Sequence, residues 1–442
     1  MRSRPIGRAC GVAATLLAAG ALVASSARRG AAAAPDAPPA ALPPASAAAA
    51  GAPSAGPERG RGDEQALEGL DLARISCAGP IASAPTARAT ARLSLDTGLQ
   101  RTALALMSSR HVPEGAVVLM DVATGRLRVY ASHVEKGPTR DLCSEATAPS
   151  ASVFKIVTAA ALVDHGQVGP DTRQCYRGGE QRIDAADLVA DPRRDRSCTT
   201  LAGALGHSVN AVFARLAEEH LTPAELGAEA RRFGYGGPLP FDAPVQPSSF
   251  RQPVDSLDLA RTAAGFRNTT LSPLLAAEMS AVIARGGEGL RPRIVDAVID
   301  ASGAVRWSAP PAAFPLARAV DEGTAAKLEV MMERTVSEGT GFRAFHDARG
   351  APLLPGIVVA GKTGTLSDAE GQRHYTWFTG FAPARPTPGL DQVAIAALVV
   401  NGASWRIKAS GLACDVLRAY FAERGAAGVS RHGVDPVAYR RR

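Results

Sequence analysis

Lysine is close to absent from this chain, with five residues among 442 against 44 arginines. Asparagine is scarcer still, confined to Asn210, Asn268 and Asn401. Aromatic residues are only 5% of the sequence, so a core drawn from an apolar content of 46% must lean on Ala, Leu and Val. The eight histidines are scattered, there is no His-Glu-x-x-His, and no Cys or His spacing suits zinc, so no metal site is expected. No internal repeat is visible. A net charge of +7 would suit an anionic partner, but Arg2, Arg4, Arg8, Arg28 and Arg29 hold +5 of it, leaving +2 for residues 31–442. That distribution argues against nucleic acid as a partner.

What the sequence does contain begins with an export pattern. Arg2, Arg4 and Arg8 precede an uncharged apolar stretch over residues 9–27, followed by Arg28-Arg29. A positive flank and an apolar run predict a secretory signal peptide or a retained membrane anchor over 1–30, and the two stay open. Cys10 lies at the start of the apolar run rather than after it, unlike a lipid-modification cysteine. Residues 31–62 are dominated by Ala, Pro, Gly and Ser and read as a tether that cannot bury enough surface to fold. A short N-terminal segment over 63–92, one folded domain over 93–425 and a basic tail over 426–442 complete the expected layout. The location expected is periplasmic or otherwise extracytoplasmic, either free or held at the cytoplasmic membrane. Outside the cytoplasm cysteines can pair. Cys175 and Cys198 flank a loop rich in Arg, Asp and Gly and are the best candidates for a disulfide, with two free thiols as the other reading. With Cys77, Cys143 and Cys414 they make five cysteines beyond Cys10, an odd count, so at least one of those thiols stays single.

Hydrophobic patterning predicts strands over 115–121 and 126–131 joined at Ala123-Thr124-Gly125 as a hairpin. Residues 152–163 are apolar, without Gly or Pro, and run into Asp164-His165-Gly166, which predicts a buried helix with a glycine C-cap. Residues 170–290 read as mainly helix and loop. Strands are expected over 356–365, 375–381 across a polar loop, and 391–400, then a closing helix over 405–424. Two strands, a helical middle, three strands and a helix make an α+β fold, an antiparallel sheet flanked by helices with a mainly helical subdomain.

Two of the five lysines sit where an amine can do chemistry. Lys155 follows Ser152 by three residues in Ser152-Val153-Phe154-Lys155, and Lys362 opens Lys362-Thr363-Gly364-Thr365. Arginine stays charged in a protein, whereas a buried ε-amine can lose its proton and act as a base. On a helix, residues i and i+3 share a face, so the Lys155 amine can reach the Ser152 hydroxyl and activate it. Between them comes Ser208-Val209-Asn210. Taken singly, Ser152 could be an ordinary helix-start serine, and Ser208 and Asn210 ordinary caps. His207 beside Ser208 invites a Ser-His pairing, but no acidic residue is placed to orient it.

Each of the three patterns occurs once, and their order resembles the three active-site motifs of penicillin-binding proteins and serine β-lactamases. Further likeness to penicillin-binding transpeptidase domains runs over about residues 93–424. It includes Met120-Asp121 with Thr124-Gly125, Val336-Ser337-Glu338-Gly339-Thr340-Gly341, and Trp377-Phe378-Thr379-Gly380-Phe381-Ala382-Pro383. The resemblance implies acyl transfer on the D-Ala-D-Ala end of peptidoglycan stem peptides, with β-lactams as covalent inhibitors and no cofactor. It makes Ser152 the nucleophile, Lys155 its base and Ser208 the proton donor to the leaving amine. Asn210 would hold the acyl-side carbonyl, and Lys362 would supply positive charge. Thr363 and Thr365 would bind the terminal carboxylate, Gly364 would let the backbone approach the ligand, and the N–H groups of Ser152 and Thr365 would form the oxyanion hole. Trp377 would wall the cleft or pack in the core.

Several departures from the family pattern matter. The residues before the nucleophile are Pro149-Ser150-Ala151 rather than Pro-Gly, which implies a changed turn. Only the 30 residues over 63–92 separate the tether from Leu93, too few for the extra module of the larger members. No Asn occurs over 211–267, so the Glu-x-x-x-Asn of class A β-lactamases is missing, and oxacillinase-type enzymes usually have an apolar residue where Asn210 stands. These features favour a transpeptidase, with D,D-carboxypeptidase, β-lactam sensor or non-catalytic wall protein, and serine β-lactamase as alternatives.

Overall fold

The computed structural model describes residues 65–426 and 428–430. The expected signal or anchor over 1–30 with Cys10, the tether over 31–62 and nearly all of the basic tail lie outside the described residues.

A five-stranded antiparallel sheet organises the molecule. Its strands are β1 (Glu114–Asp121), β2 (Leu127–Val134), β3 (Ala360–Ser367), β4 (His374–Ala382) and β5 (Val393–Asn401), in the order β3-β4-β5-β1-β2. All nine residues of β5 are buried, as expected of a central strand covered on both faces. Side chains alternate between those faces. Ile395, Ala397 and Val399 face helices α1 (Thr97–Ser109) and α6 (Ala409–Glu423), against Leu99, Met107, Leu412 and Phe421. Ala394, Ala396 and Leu398 join the other layer, with Val157 of α2 (Lys155–Asp164) and Leu274 and Ala277 of α5 (Pro273–Ala284). Alanine at these contacts lets helix and sheet pack closely. Enlarging Ala396 would overpack the layer at a cost of about 1–3 kcal/mol.

Between β2 and β3 lies the helical part, including α3 (Leu201–His207) and α4 (Asn210–His220). A separate hairpin, Arg173–Tyr176 with Ser197–Thr200, pairs Cys175 directly with Cys198, and the two are disulfide-bonded. Cys77, Cys143 and Cys414 are free.

Differences from the expected elements have local causes. The β1–β2 turn closes where Asp121 Oδ1 accepts from the Thr124 N–H, with Gly125 at φ +68°. The strand expected from 356 begins at Ala360, opposite Phe381, two residues before Pro383, which has no N–H to extend a ladder. β3 and β4 run on to Ser367 and His374, so the ends of the expected polar loop join the hairpin arms and residues 368–373 remain the loop. The last helix starts at Ala409 rather than 405. The helix expected from 152 opens as a 3-10 turn, Ala151–Phe154, before α2. Its C-terminal left-handed residue is Gln167 (φ +52°), not Gly166. Gly166 is needed for contact instead, since a Cβ there would lie 2.9 Å from the Leu162 carbonyl oxygen. Residues 65–92, expected as a lead-in, belong to the fold. Ser83–Pro85 and Thr90–Leu93 form a second sheet with Val295–Ile299 and Val305–Ser308, and Leu67, Leu70 and Leu72 enter the main core.

Candidate active site

Ser152 sits inside the 3-10 turn that leads into α2. Residues three apart eclipse in a 3-10 helix, which sets Lys155 directly against it. The Lys155 amine lies 2.8 Å from Ser152 Oγ. The turn is held from several sides. Ala148–Pro149 pairs with Thr270–Leu271, and the Trp377 indole donates to the Pro149 carbonyl at 2.9 Å. Ala151 adopts φ +49°, a left-handed conformation costing on the order of 1 kcal/mol outside glycine. This is the changed turn implied by Ser150-Ala151. Gly265 (φ +86°) accommodates it, because a Cβ there would stand 2.2 Å from the Ala151 carbonyl oxygen.

Lys155 is fully buried, with no exposed area. Its amine has Asn210 Oδ1 at 2.6 Å, the Ala264 carbonyl at 2.9 Å and Ser208 Oγ at 3.4 Å, besides Ser152. Burial, and then the charge of Lys362, hold its pKa well below the usual lysine value. A neutral amine has two hydrogens and one lone pair. The Asn210 amide oxygen and the Ala264 carbonyl accept only, so in the neutral form they take the hydrogens and leave the lone pair for the Ser152 hydroxyl. The orientation of Asn210 is itself fixed by its partners. Its Nδ2 donates to the Gly179 carbonyl at 2.9 Å and the Glu180 carbonyl at 3.0 Å, which turns Oδ1 towards Lys155. Both amide hydrogens are therefore committed. Asn210 nonetheless lines the cleft, with its Oδ1 facing the Lys155 amine.

Lys362, on the edge strand β3, is equally buried. Its amine donates to the Thr363 carbonyl at 2.8 Å and to Ser208 Oγ at 3.0 Å. Burial lowers its pKa to about 7. The contacts of both amines run to hydroxyl, amide and carbonyl oxygens. Ser208 lies between the two amines at the junction of α3 and α4, in a left-handed conformation (φ +58°). A strained non-glycine residue whose hydroxyl bridges two lysines is a functional signal as well as a conformational cost.

A cleft of about 300 Å³ opens over this network, lined by Ser152, Ser208, Asn210 and the Thr363-Gly364-Thr365 backbone run among others. A Cβ at Gly364 would sit tightly against Trp377 Cβ at 3.2 Å and against Ala151 Cβ and Val153 Cγ2 of the nucleophile's turn at 3.3 Å. Thr363 Oγ1 is 2.5 Å from Thr340 Oγ1, and Thr365 is exposed to the cleft. Trp377 serves in both expected ways, as a cleft wall and as a core residue only 1% exposed. His207 is exposed and stands outside the hydrogen-bonded network.

Ser152, Lys155, Ser208, Asn210 and Lys362 thus meet in one network, with Thr363, Gly364 and Thr365 along the cleft beside it. Sequence reasoning missed the carbonyls of Ala264, Gly179 and Glu180, which carry no residue-type signature. It also missed Thr340, Thr376, Lys408 and Ser410 on the cleft wall. Two of them had a usable signal, Lys408 as one of only five lysines and Thr340 as part of the Val336–Gly341 run.

An α+β fold with a serine, a buried lysine one helical turn on, and a second serine between two amines defines the class of penicillin-recognising serine acyltransferases. The family described as the penicillin binding protein transpeptidase domain matches residues 115–413, and the chain belongs to it. Peptidoglycan D,D-transpeptidase PbpA of Mycobacterium tuberculosis is 30% identical over 332 residues, covering 67% of this chain and 64% of that protein. The chain thus spans just under two thirds of that relative. Among solved structures, the D,D-transpeptidase domain of a peptidoglycan glycosyltransferase from Eggerthella lenta superposes with a TM-score of 0.61 at 26% identity, covering 75% of this chain and 83% of that one. PBPA from M. tuberculosis gives 0.59 at 25% identity, covering 75% and 81%.

Proposed function

We propose that the chain is a serine D,D-transpeptidase acting on the D-Ala-D-Ala end of peptidoglycan stem peptides, outside the cytoplasm. The observation that carries this reading is the 2.8 Å contact between Ser152 Oγ and a fully buried Lys155 amine whose hydrogens have other acceptors. Lys155 takes the Ser152 proton as Oγ attacks the penultimate D-Ala carbonyl. The N–H groups of Ser152 and Thr365 receive the developing oxyanion. Ser208 passes a proton to the departing D-Ala amine, and Lys362, with a pKa of about 7, replenishes it. An acceptor amine then resolves the acyl-enzyme. Thr363 and Thr365 hydrogen-bond the terminal carboxylate. β-Lactams enter the same path and stop at the acyl-enzyme. The Cys175–Cys198 disulfide and the apolar run over residues 9–27 support an exported protein with a signal peptide or an anchor at the membrane.

Labelled penicillin tests the first step. Wild type forms a covalent adduct and Ser152→Ala forms none; an undiminished adduct on Ser152→Ala overturns the assignment. Mass analysis after incubation with a stem pentapeptide and an amine acceptor tests the second. A cross-linked product supports transpeptidation, hydrolysis alone makes the protein a carboxypeptidase, and steady-state nitrocefin turnover makes it a β-lactamase.

A further inference from the structure

The cleft has to receive an anion, yet its two chemical lysines do not line it. Seven of its eleven lining residues carry a hydroxyl, none carries a carboxylate, and Lys155 and Lys362 are both absent from the wall. Their amines are buried and engaged, Lys155 with Asn210 and Ala264, Lys362 with Ser208 and Thr363. A carboxylate held by threonine hydroxyls alone would forgo the stronger charge-assisted hydrogen bonds. One full cation does reach the wall, and it is Lys408.

Lys408 occupies the N-cap position of α6, a 15-residue helix. Its ammonium is exposed and pairs with no carboxylate among the described residues, and it stands 5.7 Å over the Trp405 ring, which limits its excursions. Ser410, two residues further on, is only 6% exposed, lines the cleft and has no side-chain hydrogen bond among the described residues. A hydroxyl of a residue more than nine-tenths buried, unpartnered and open to the cleft, is placed for a ligand. The positive end of the helix macrodipole acts in the same direction. The start of α6 is also tied to the substrate strand. Thr365 pairs with Thr376 across the β3–β4 ladder, and Thr376 Oγ1 accepts from the Ala409 N–H at 3.1 Å.

We infer that Lys408 and Ser410, at the start of α6, form the charged half of the subsite that takes the substrate's terminal carboxylate. The inference rests on the acyl-transfer reading above and adds to it where the counter-charge comes from. Lys408 is then a specificity-determining residue. It discriminates a free carboxylate from its neutral analogues and leaves the Ser152–Lys155 chemistry untouched.

The experiment compares second-order acylation of the full chain by benzylpenicillin and by its methyl ester, for wild type, Lys408→Met, Lys408→Arg and Ser410→Ala. Lys408→Met slows acylation by the acid about three- to tenfold, as expected of a partly shielded charge pair, and leaves the ester rate unchanged. Lys408→Arg restores most of the loss, Ser410→Ala loses part of it, and the wild-type preference for acid over ester shrinks as salt is added. Equal effects on acid and ester, or no effect on either, overturn the subsite while the acyl-transfer reading stands. No adduct on wild type with either compound removes the acyl-transfer reading and the subsite together.

Discussion

At the scale of single residues, the chemistry requires a cost in stability. Lys155 and Lys362 are buried without a compensating carboxylate, so each is held below its solution pKa. The unfolded chain binds more protons than the folded one wherever pH lies between those two values. Stability contributed at Lys362 therefore rises with pH from about 7 towards about 10, and is lost as pH falls through that window. At neutral pH the depressed amine costs on the order of 4 kcal/mol, at 1.36 kcal/mol for each tenfold step in proton affinity. Lys362→Met removes that penalty and the proton supply to Ser208 together. The variant is expected to melt higher than wild type at pH 6–7, by several degrees, with the gap narrowing towards pH 10, and to lose penicillin acylation by at least about a hundredfold. Thermal unfolding at three pH values checks the sign; a gap that widens with pH would refute it. A second residue-scale consequence concerns Asn210. Asn210→Asp keeps the shape but places an anion 2.6 Å from the Lys155 amine, which raises the amine's pKa and moves the acylation profile to higher pH. An unchanged profile would mean that Lys155 is not the titrating base.

At the scale of elements, the catalytic serine and lysine are positioned by one short turn, while the asparagine depends on a distant excursion of chain. Residues 175–198 leave and return at the disulfide, carrying the Gly179 and Glu180 carbonyls that orient Asn210. Arg215, on α4 five residues after Asn210, clamps that excursion from below and is 3% exposed. Its Nε donates to the Asp187 carbonyl at 2.6 Å, and Nη1 to the Cys175 carbonyl at 2.8 Å. Nη1 and Nη2 also meet both oxygens of Asp195, whose carboxyl the Arg215 hydrogen bonds hold well below the usual range. Disulfide and guanidinium thus support the same two carbonyls. Replacing both Cys175 and Cys198 by Ser is expected to cost about 2–4 kcal/mol in stability. It should also slow acylation at a temperature where the fold is intact, because the carbonyls on Asn210 loosen. Full acylation rate with lowered stability would assign the excursion a structural role only. None of this support was legible in the sequence beyond the Cys175–Cys198 pairing. Ser152, Lys155, Ser208 and Lys362 declare themselves by residue type and spacing, whereas a backbone carbonyl can belong to any residue. The same limit explains the missed 3-10 start of α2 and the late start of β3. Apolar pattern alone does not register a left-handed Ala151 or the lack of an N–H at Pro383.

On the scale of the whole molecule, an alanine-rich sequence with few aromatics builds a three-layer body whose central strand is buried from end to end. The order of two strands, helices, three strands and a helix was enough to read that layering, because each long apolar run has one obvious period. The N-terminal boundary was not legible, because Ser83–Pro85 and Thr90–Leu93 are too short to announce themselves before their partner is known. Thr90–Leu93 pairs with Val295–Ile299, some two hundred residues away, and Ser83–Pro85 in turn covers the outer edge of Thr90–Leu93. Removing residues 65–93 would strip Val295–Ile299 of that partner and expose the core beneath Leu67, Leu72, Ala84 and Leu93. An unpaired strand edge beside newly exposed apolar surface is an aggregation site. A chain beginning at residue 65 is therefore expected to stay soluble and label with penicillin as the full chain does. A chain beginning at residue 94 retains every residue of the Ser152 network and is nonetheless expected to aggregate or to melt well below the longer form. Light scattering and penicillin labelling on the two chains decide the point. If the shorter chain is soluble, equally stable and fully labelled, the second sheet is an accessory and the fold ends where the sequence pattern first suggested.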